Sequence, residues 1–444
     1  MKRFTDEDKL KESYNSYRRR YLVMKKVLIS VLVAIFSFAI LSFGFGQEVE
    51  LNTISGPDVD FLLKRAQQFQ DKTGVRVNIT VVPYGRDQNI KLMSSFLAGG
   101  SQYDVYVIDC VEVPQYAEAG WALPIDEYVT PEMKKDLLPF AADGMMYKGH
   151  WYGLPWASEW KSFLYNATML EKAGYKDPPK TWTQFVNISK KLQNAGIVKY
   201  ATAWSWAGKE CLICDFVAVA ASFGGQFFDE AQNPLFNKGV SVKALQWMVD
   251  SIYKEKITNP ASIMWTETDV NKAMEAGDIA FGLRWGLPLV PLNDPSRSKT
   301  VGQWRIGLMP SVDGKHPYTV SGPMGWAISF GTKHKKEAMD FIFFMADEKG
   351  AKLAAIEQGV VPGWASLYKD PDLIKAVPQL DIMLEQGKFV VNRPRVPWYH
   401  DFSTMFAVEV NSALVQQKTP QQALNDAYKK TLQIKKDYES RSKK

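Results

Sequence analysis

From Glu48 onward the apolar and polar positions follow two rhythms in turn. Glu48–Ser55 predicts a short strand. Gly56-Pro57-Asp58 then turns the chain into a helix, with Val59, Leu62, Leu63, Ala66 and Phe69 at helical spacing and Gly74 as its closing residue. Val75, Val77, Ile79 and Val81 alternate, as half-buried strand residues do. A second helix is predicted over Gln88–Ala98, stopped by Gly99-Gly100. Asp104–Asp109 follows as an apolar strand with an acid at each end. This β-α-β-α-β order predicts a parallel sheet with right-handed crossovers. Ligands of such sheets bind beyond the carboxyl ends of the strands, where Asp58 and Asp109 lie.

A second set of elements follows Tyr147–Lys172, a stretch with turn residues Gly149, Gly153 and Pro155, three tryptophans (Trp151, Trp156, Trp160) and the acid Glu159. Helices are predicted at Thr181–Asn194, Phe216–Phe223, Lys243–Tyr253, Val270–Glu275 and His334–Ala346, and through most of Ser403–Lys435. Strands are predicted at Ile279–Leu283 and Trp304–Met309, and a strand pair within Tyr318–Ser329. A chain of 444 residues exceeds one ordinary core and predicts two domains. Tyr147–Lys172 reads as the passage from one lobe to the other, and Leu308–Val312 as a second hinge strand. The expected lobes are residues 47–157 with 313–365, and 158–312 with 366–444.

The formal charge of +6 belongs to the leader. Residues 1–46 carry nine Lys/Arg and four Asp/Glu, a net of +5, which leaves 6 − 5 = +1 for the rest. A near-neutral globular part gives no electrostatic case for nucleic acid. Lys25-Lys26, the uncharged run Val27–Phe45 and small Gly44 and Gly46 form a signal-peptide pattern with cleavage expected after Gly46. An uncleaved Val27–Phe45 anchor is the alternative, and Met24 is an alternative start. Export puts the protein in the periplasm or at the cell surface. There Cys211 and Cys214 are either a local disulfide or two buried thiols on a helix start. The four histidines are scattered, so neither metal nor cofactor is expected.

The stretch PWASEWKSFLYNATMLEK (Pro155–Lys172) resembles the signature of the family 1 extracellular solute-binding proteins of ABC transporters. YDVYVIDCVEVPQYAEAGWALPID, PPKTWTQF, AMEAGDIAF, SGPMGWAIS and KKEAMDFIFFMA resemble further landmarks of that family. RPRVPWYHDFSTMFAVEVNSALVQQKTPQQALNDA resembles the C-terminal segment of its trehalose, maltose and α-glucoside binders. Trp156 replaces the usual aliphatic, and Leu287 stands where those binders often carry an aromatic, which leaves the sugar open.

The resemblance implies an α/β, type II periplasmic-binding-protein fold: two mixed α/β lobes joined by a hinge, with a ligand cleft between. It implies capture of a mono- or oligosaccharide by a monomer and delivery to a membrane permease with a separate cytoplasmic ATPase. No Walker-type phosphate loop occurs in this chain. Carried over by position, it assigns ligand contacts to Asp109, Glu159, Trp285, Trp326 and Arg393. Asp58, Arg86 and Tyr399 are further candidates. Such a set suits a sugar, whose C–H faces pack on aromatic rings and whose hydroxyls need charged donors and acceptors. Each residue also has a plainer reading: helix cap for Asp109, hinge surface for Glu159, core for the tryptophans, structural ion pair for Arg393. Two rival functions are a polyamine or other small polar solute in the same fold, and an exported glycoside-active enzyme. The enzyme would need two carboxylates flanking a glycosidic bond. No HExxH or GxSxG pattern is present, and no catalysis is expected.

Overall fold

The computed structural model describes residues 24–25, 48–55, 59–83 and 86–442. The expected signal segment Val27–Phe45, its cleavage point and the candidate Asp58 lie outside the described residues. Arg86 is described only as the first residue of a helix. Among the described residues no helix is long and apolar enough to cross a membrane.

The chain begins with β1 (Glu48–Ser55), α1 (Val59–Thr73), β2 (Arg76–Pro83), α2 (Arg86–Leu97), β3 (Val105–Asp109) and α3 (Val113–Glu118). β1 pairs in parallel with β2 from Glu48↔Arg76 to Ser55↔Pro83, and with β3 at Leu51↔Val105. The parallel core expected from the alternation is therefore present. Two later strands extend it in antiparallel sense: β4 (Leu154–Ala157) and β9 (Met324–Ile328), in the order β2-β1-β3-β9-β4. α1 buries Phe61, Leu62, Ala66 and Phe69. The Phe69 ring meets Phe341 edge-on at 5.1 Å.

The second sheet is wholly antiparallel. β5 (Ser162–Asn166) lies between β6 (Phe281–Arg284) and β7 (Trp304–Gly307). The same lobe holds α4 (Glu210–Ser222), which is buried at every residue from Cys211 to Ser222. A helix apolar all round belongs in a core, and α4 obeys that rule. It begins six residues before the predicted Phe216. All three cysteines are free buried thiols, and Cys211 and Cys214 lie one turn apart on α4. Of the two readings left open for that pair, the structure takes the thiols. α5 (Glu267–Ala276) precedes β6, with Thr266 and Asp269 forming a capping box at its start.

The first passage between the sheets is at Ser158–Lys161, within the expected stretch. It is clamped by the returning chain: Lys161 N–H donates to Val320 O at 3.0 Å and Gly322 N–H to Glu159 O at 2.9 Å. The second passage is not at Leu308–Val312. That segment stays with the second sheet, where Ser311 N–H donates to Lys180 O at 3.1 Å and Met309 N–H to Gln386 Oε1 at 3.0 Å. β7 ends at Gly307, three residues before Pro310, and the chain turns through Asp313-Gly314 before it returns along β8 (Thr319–Ser321) into β9. The third passage also comes later than residue 366. The Ser366 hydroxyl is still bonded to Asp136 at 2.6 Å, whereas Gln379 already accepts from Ile306 N–H at 2.9 Å.

α6 (Lys335–Ala346) covers β9. β10 (Val390–Asn392) pairs in parallel with β8. α7 (Tyr399–Leu414) and α8 (Pro420–Ser442) complete the second lobe. Near its end α8 reaches back across the mouth of the cleft. There Tyr438 OH donates to Glu118 at 2.7 Å, a carboxylate that also accepts from Tyr147 and Lys148.

Candidate functional site

β3 ends on Asp109 at the point where its partner β9 turns away, and a cleft of 2220 Å³ opens there. Its lining includes Asp109, Glu112, Glu210, Arg393, Tyr399 and His400. Arg393 leaves β10 and joins the two sides. Its Nη2 lies 2.6 and 2.8 Å from the two Asp109 carboxylate oxygens, and its Nη1 lies 2.9 Å from Glu210 Oε1. Asp109 belongs to the first sheet and Glu210 to α4, so one guanidinium ties both lobes. Tyr399 OH donates to Glu210 Oε1 at 2.6 Å and the Ser403 hydroxyl donates to Oε2. Burial alone would lower the Arg393 pKa, but the Asp109 carboxylate and the neighbouring Cys110, Cys214 and Tyr399 together outweigh it and hold the group above its ordinary value.

Glu112 follows one turn after Asp109 and accepts the Asp109 N–H at 3.1 Å. Burial, reinforced by the Asp109 charge, pushes its carboxyl up to about 8. His400 Nε2 stands 4.0 Å from Glu112 Oε1, and burial lowers its pKa.

A second charged group surrounds Trp285, the residue after β6. The ring is half-buried, and its Nε1 donates to Glu267 Oε1 at 3.4 Å. Lys161 Nζ lies 5.5 Å from the ring centroid, a cation–π position. The same ammonium is bonded to Asp215 at 2.6 Å and to Ser205 Oγ at 3.0 Å, and lies 3.2 Å from Glu267. Both Lys161 and Asp215 are 1% exposed. Burial would lower the Lys161 pKa, but Asp215 and Glu267 reverse that and keep it cationic. The two groups meet at Gly322. A Cβ there would come within 2.8 Å of Arg393 Nη2 and 3.3 Å of Trp285 Cη2, so glycine is required for the close approach.

The structure therefore brings together Asp109, Arg393, Tyr399 and, across Gly322, Trp285. Glu159 is half-buried in the first passage, and a Cβ on Gly286 would lie 3.4 Å from its Oε1. Trp326 is a correction. It is 0% exposed in the first lobe, with Trp156 at 5.4 Å and Phe341 at 6.3 Å, because α6 covers that face of β9. Glu112, Glu210, Lys161, Asp215 and Glu267 were not singled out from the sequence. One signal existed: Lys161 is a charge directly before the apolar run of β5. Among the described residues no group of three or more His, Cys, Asp or Glu is placed to hold a metal ion.

Comparison with known proteins agrees with this architecture. Residues 55–352 match the model for the bacterial extracellular solute-binding protein family. A "probable ABC transporter-binding protein" of Deinococcus radiodurans is 27% identical over 383 residues, covering 83% of this chain and 89% of that one. The mannitol-binding protein of Pseudomonas aeruginosa is 26% identical over 368 residues, covering 77% and 82%. The maltose-bound structure of T. maritima MalE3 superposes with a TM-score of 0.79 at 25% identity, covering 88% of this chain and all of that one. With more than half of its length matched, two mixed lobes and a cleft between them, the chain belongs to the bacterial extracellular solute-binding proteins.

Proposed function

We propose that this protein binds a neutral sugar or polyol between its lobes and delivers it to a membrane permease served by a separate ATPase. The observation that carries this is the meeting of Asp109, Arg393 and Trp285 around Gly322: charged donor and acceptor beside an aromatic face, drawn from both sheets. Ligand that touches both lobes favours the closed form by differential contact, and the closed form docks. The maltose and mannitol named for the two relatives set the class to try first. A polyamine fits less well, because Asp109 and Glu210 are already paired with Arg393, whose own charge would meet a polycation. An extracytoplasmic location follows from the family, and export by the Val27–Phe45 signal segment accords with it.

Titration of intrinsic tryptophan fluorescence with maltose, mannitol, other neutral sugars and spermidine tests the reading. A saturable response to a sugar or polyol is expected, and a response to spermidine alone would overturn it. Once a sugar is found, Trp285→Ala weakens its binding by about 2–4 kcal/mol if the ring is a buried platform. A change in Kd of less than tenfold would remove Trp285 from the site. Unchanged sugar with no turnover product after incubation with α-glucosides separates binding from glycoside cleavage.

A further inference from the structure

Asp109 is the acid that strand order points to, yet both of its oxygens are engaged by Arg393. The neighbouring acid of the cleft, Glu112, has a different environment. It is 6% exposed and lines the cleft. One oxygen accepts the Asp109 N–H, and the other is the one nearest His400, at 4.0 Å. The groups that face it are Asp109 and Tyr106 from β3, Tyr116 from α3, Asn89 from α2, Arg393 after β10 and His400 from α7. Arg393 is committed to Asp109 and Glu210, and burial keeps the two tyrosines neutral. The Asp109 N–H, Asn89 and the Arg393 charge favour the Glu112 carboxylate, but burial and the Asp109 charge outweigh them.

Resting on the sugar reading above, we propose that Glu112, buried in the cleft wall, is a second ligand-contacting acid whose O–H donates to an oxygen of the bound sugar. Burial and the Asp109 charge both disfavour a carboxylate at Glu112. Asp109 is paired with the Arg393 guanidinium, and Glu112 retains the proton. The cleft then offers the Arg393–Asp109 pair and a neutral donor at Glu112, three residues on from Asp109, to adjacent sugar hydroxyls. An anionic sugar is disfavoured, because its charge would meet Asp109 and Glu210 without a free guanidinium.

The sign of the pH effect follows. Burial and the Asp109 charge raise the Glu112 carboxyl to about 8. Below that pH the donor is present; above it the proton is lost and the carboxylate faces the sugar oxygen. Binding is strongest at neutral pH and weakens by about tenfold per pH unit once the pH exceeds that value, the slope of one proton.

Two measurements test this. Carboxyl 13C spectra of glutamate-labelled, ligand-free protein, compared with Glu112→Gln, isolate the Glu112 resonance. Titration near 8 is expected, and titration below pH 5 overturns the proposal. Maltose and mannitol are then titrated against both proteins from pH 6 to 9.5. The wild-type Kd is expected to rise above pH 8, whereas Glu112→Gln, whose amide still donates, binds with a flat profile. Identical profiles for the two proteins overturn the contact. If neither sugar binds at any pH, the sugar reading fails, and the carboxyl titration alone decides the state of Glu112.

Discussion

Arg393→Met is expected to lower the stability of the folded protein by about 3–5 kcal/mol, the cost of leaving a buried charge without its partner. The stranded charge is Asp109, whose side chain is 5% exposed. Glu210 loses the same partner but is 42% exposed, and it keeps Tyr399 and Ser403, so its share is smaller. The double variant Asp109→Asn/Arg393→Met removes both buried charges and should recover most of the loss, since well-packed neutral pairs often match a buried ion pair. Urea unfolding of the two variants checks it. A single-variant loss below about 1 kcal/mol would mean that water reaches Asp109 and that the bridge between lobes is weak. Sugar binding should fall in both variants, because both lack the charged acceptor–donor pair.

The second large effect is Lys161→Met. Asp215 is then left 1% exposed, with Ser205 as its remaining hydrogen-bond partner among the described residues, and a loss of about 3–5 kcal/mol is again expected. Here a second result separates the site from the core. Lys161 holds Glu267, and Glu267 accepts the Trp285 indole N–H. In Lys161→Met/Asp215→Asn, stability should largely return while sugar affinity stays reduced, because the Trp285 ring has lost its cation and a partner for Glu267. Full recovery of both properties would show that the lysine supports the core and not the ring. Calorimetric unfolding and fluorescence titration of the same samples give the two readouts.

The order of elements in the first lobe was legible because each carried its own period and its own glycine stop. The second passage was not. Pro310, three residues past β7, looks as much like a lobe boundary as a turn, and only distant partners, the Lys180 carbonyl and the Gln386 amide, show that the segment stays where it is. At the site, Asp109 was visible from strand order, and Arg393 and Trp285 from resemblance. Trp326 was misplaced because a tryptophan between small residues in a strand gives no sign of which face is covered. Glu210 and Lys161 were missed for a different reason. A single charge beside an apolar run reads as exposed until its partner is known, and Glu210 and Arg393 are 183 residues apart.

The three buried thiols have a practical meaning. Burial raises the pKa of Cys110 and Cys214 and pushes Cys211 up to about 12, so little thiolate exists near neutral pH. Thiolate, not thiol, reacts with electrophilic dyes. A cysteine introduced on an exposed face of each lobe would therefore take label in preference to the native ones. The wild-type chain needs no cysteine removal before a donor and acceptor dye are placed to follow lobe closure in single molecules.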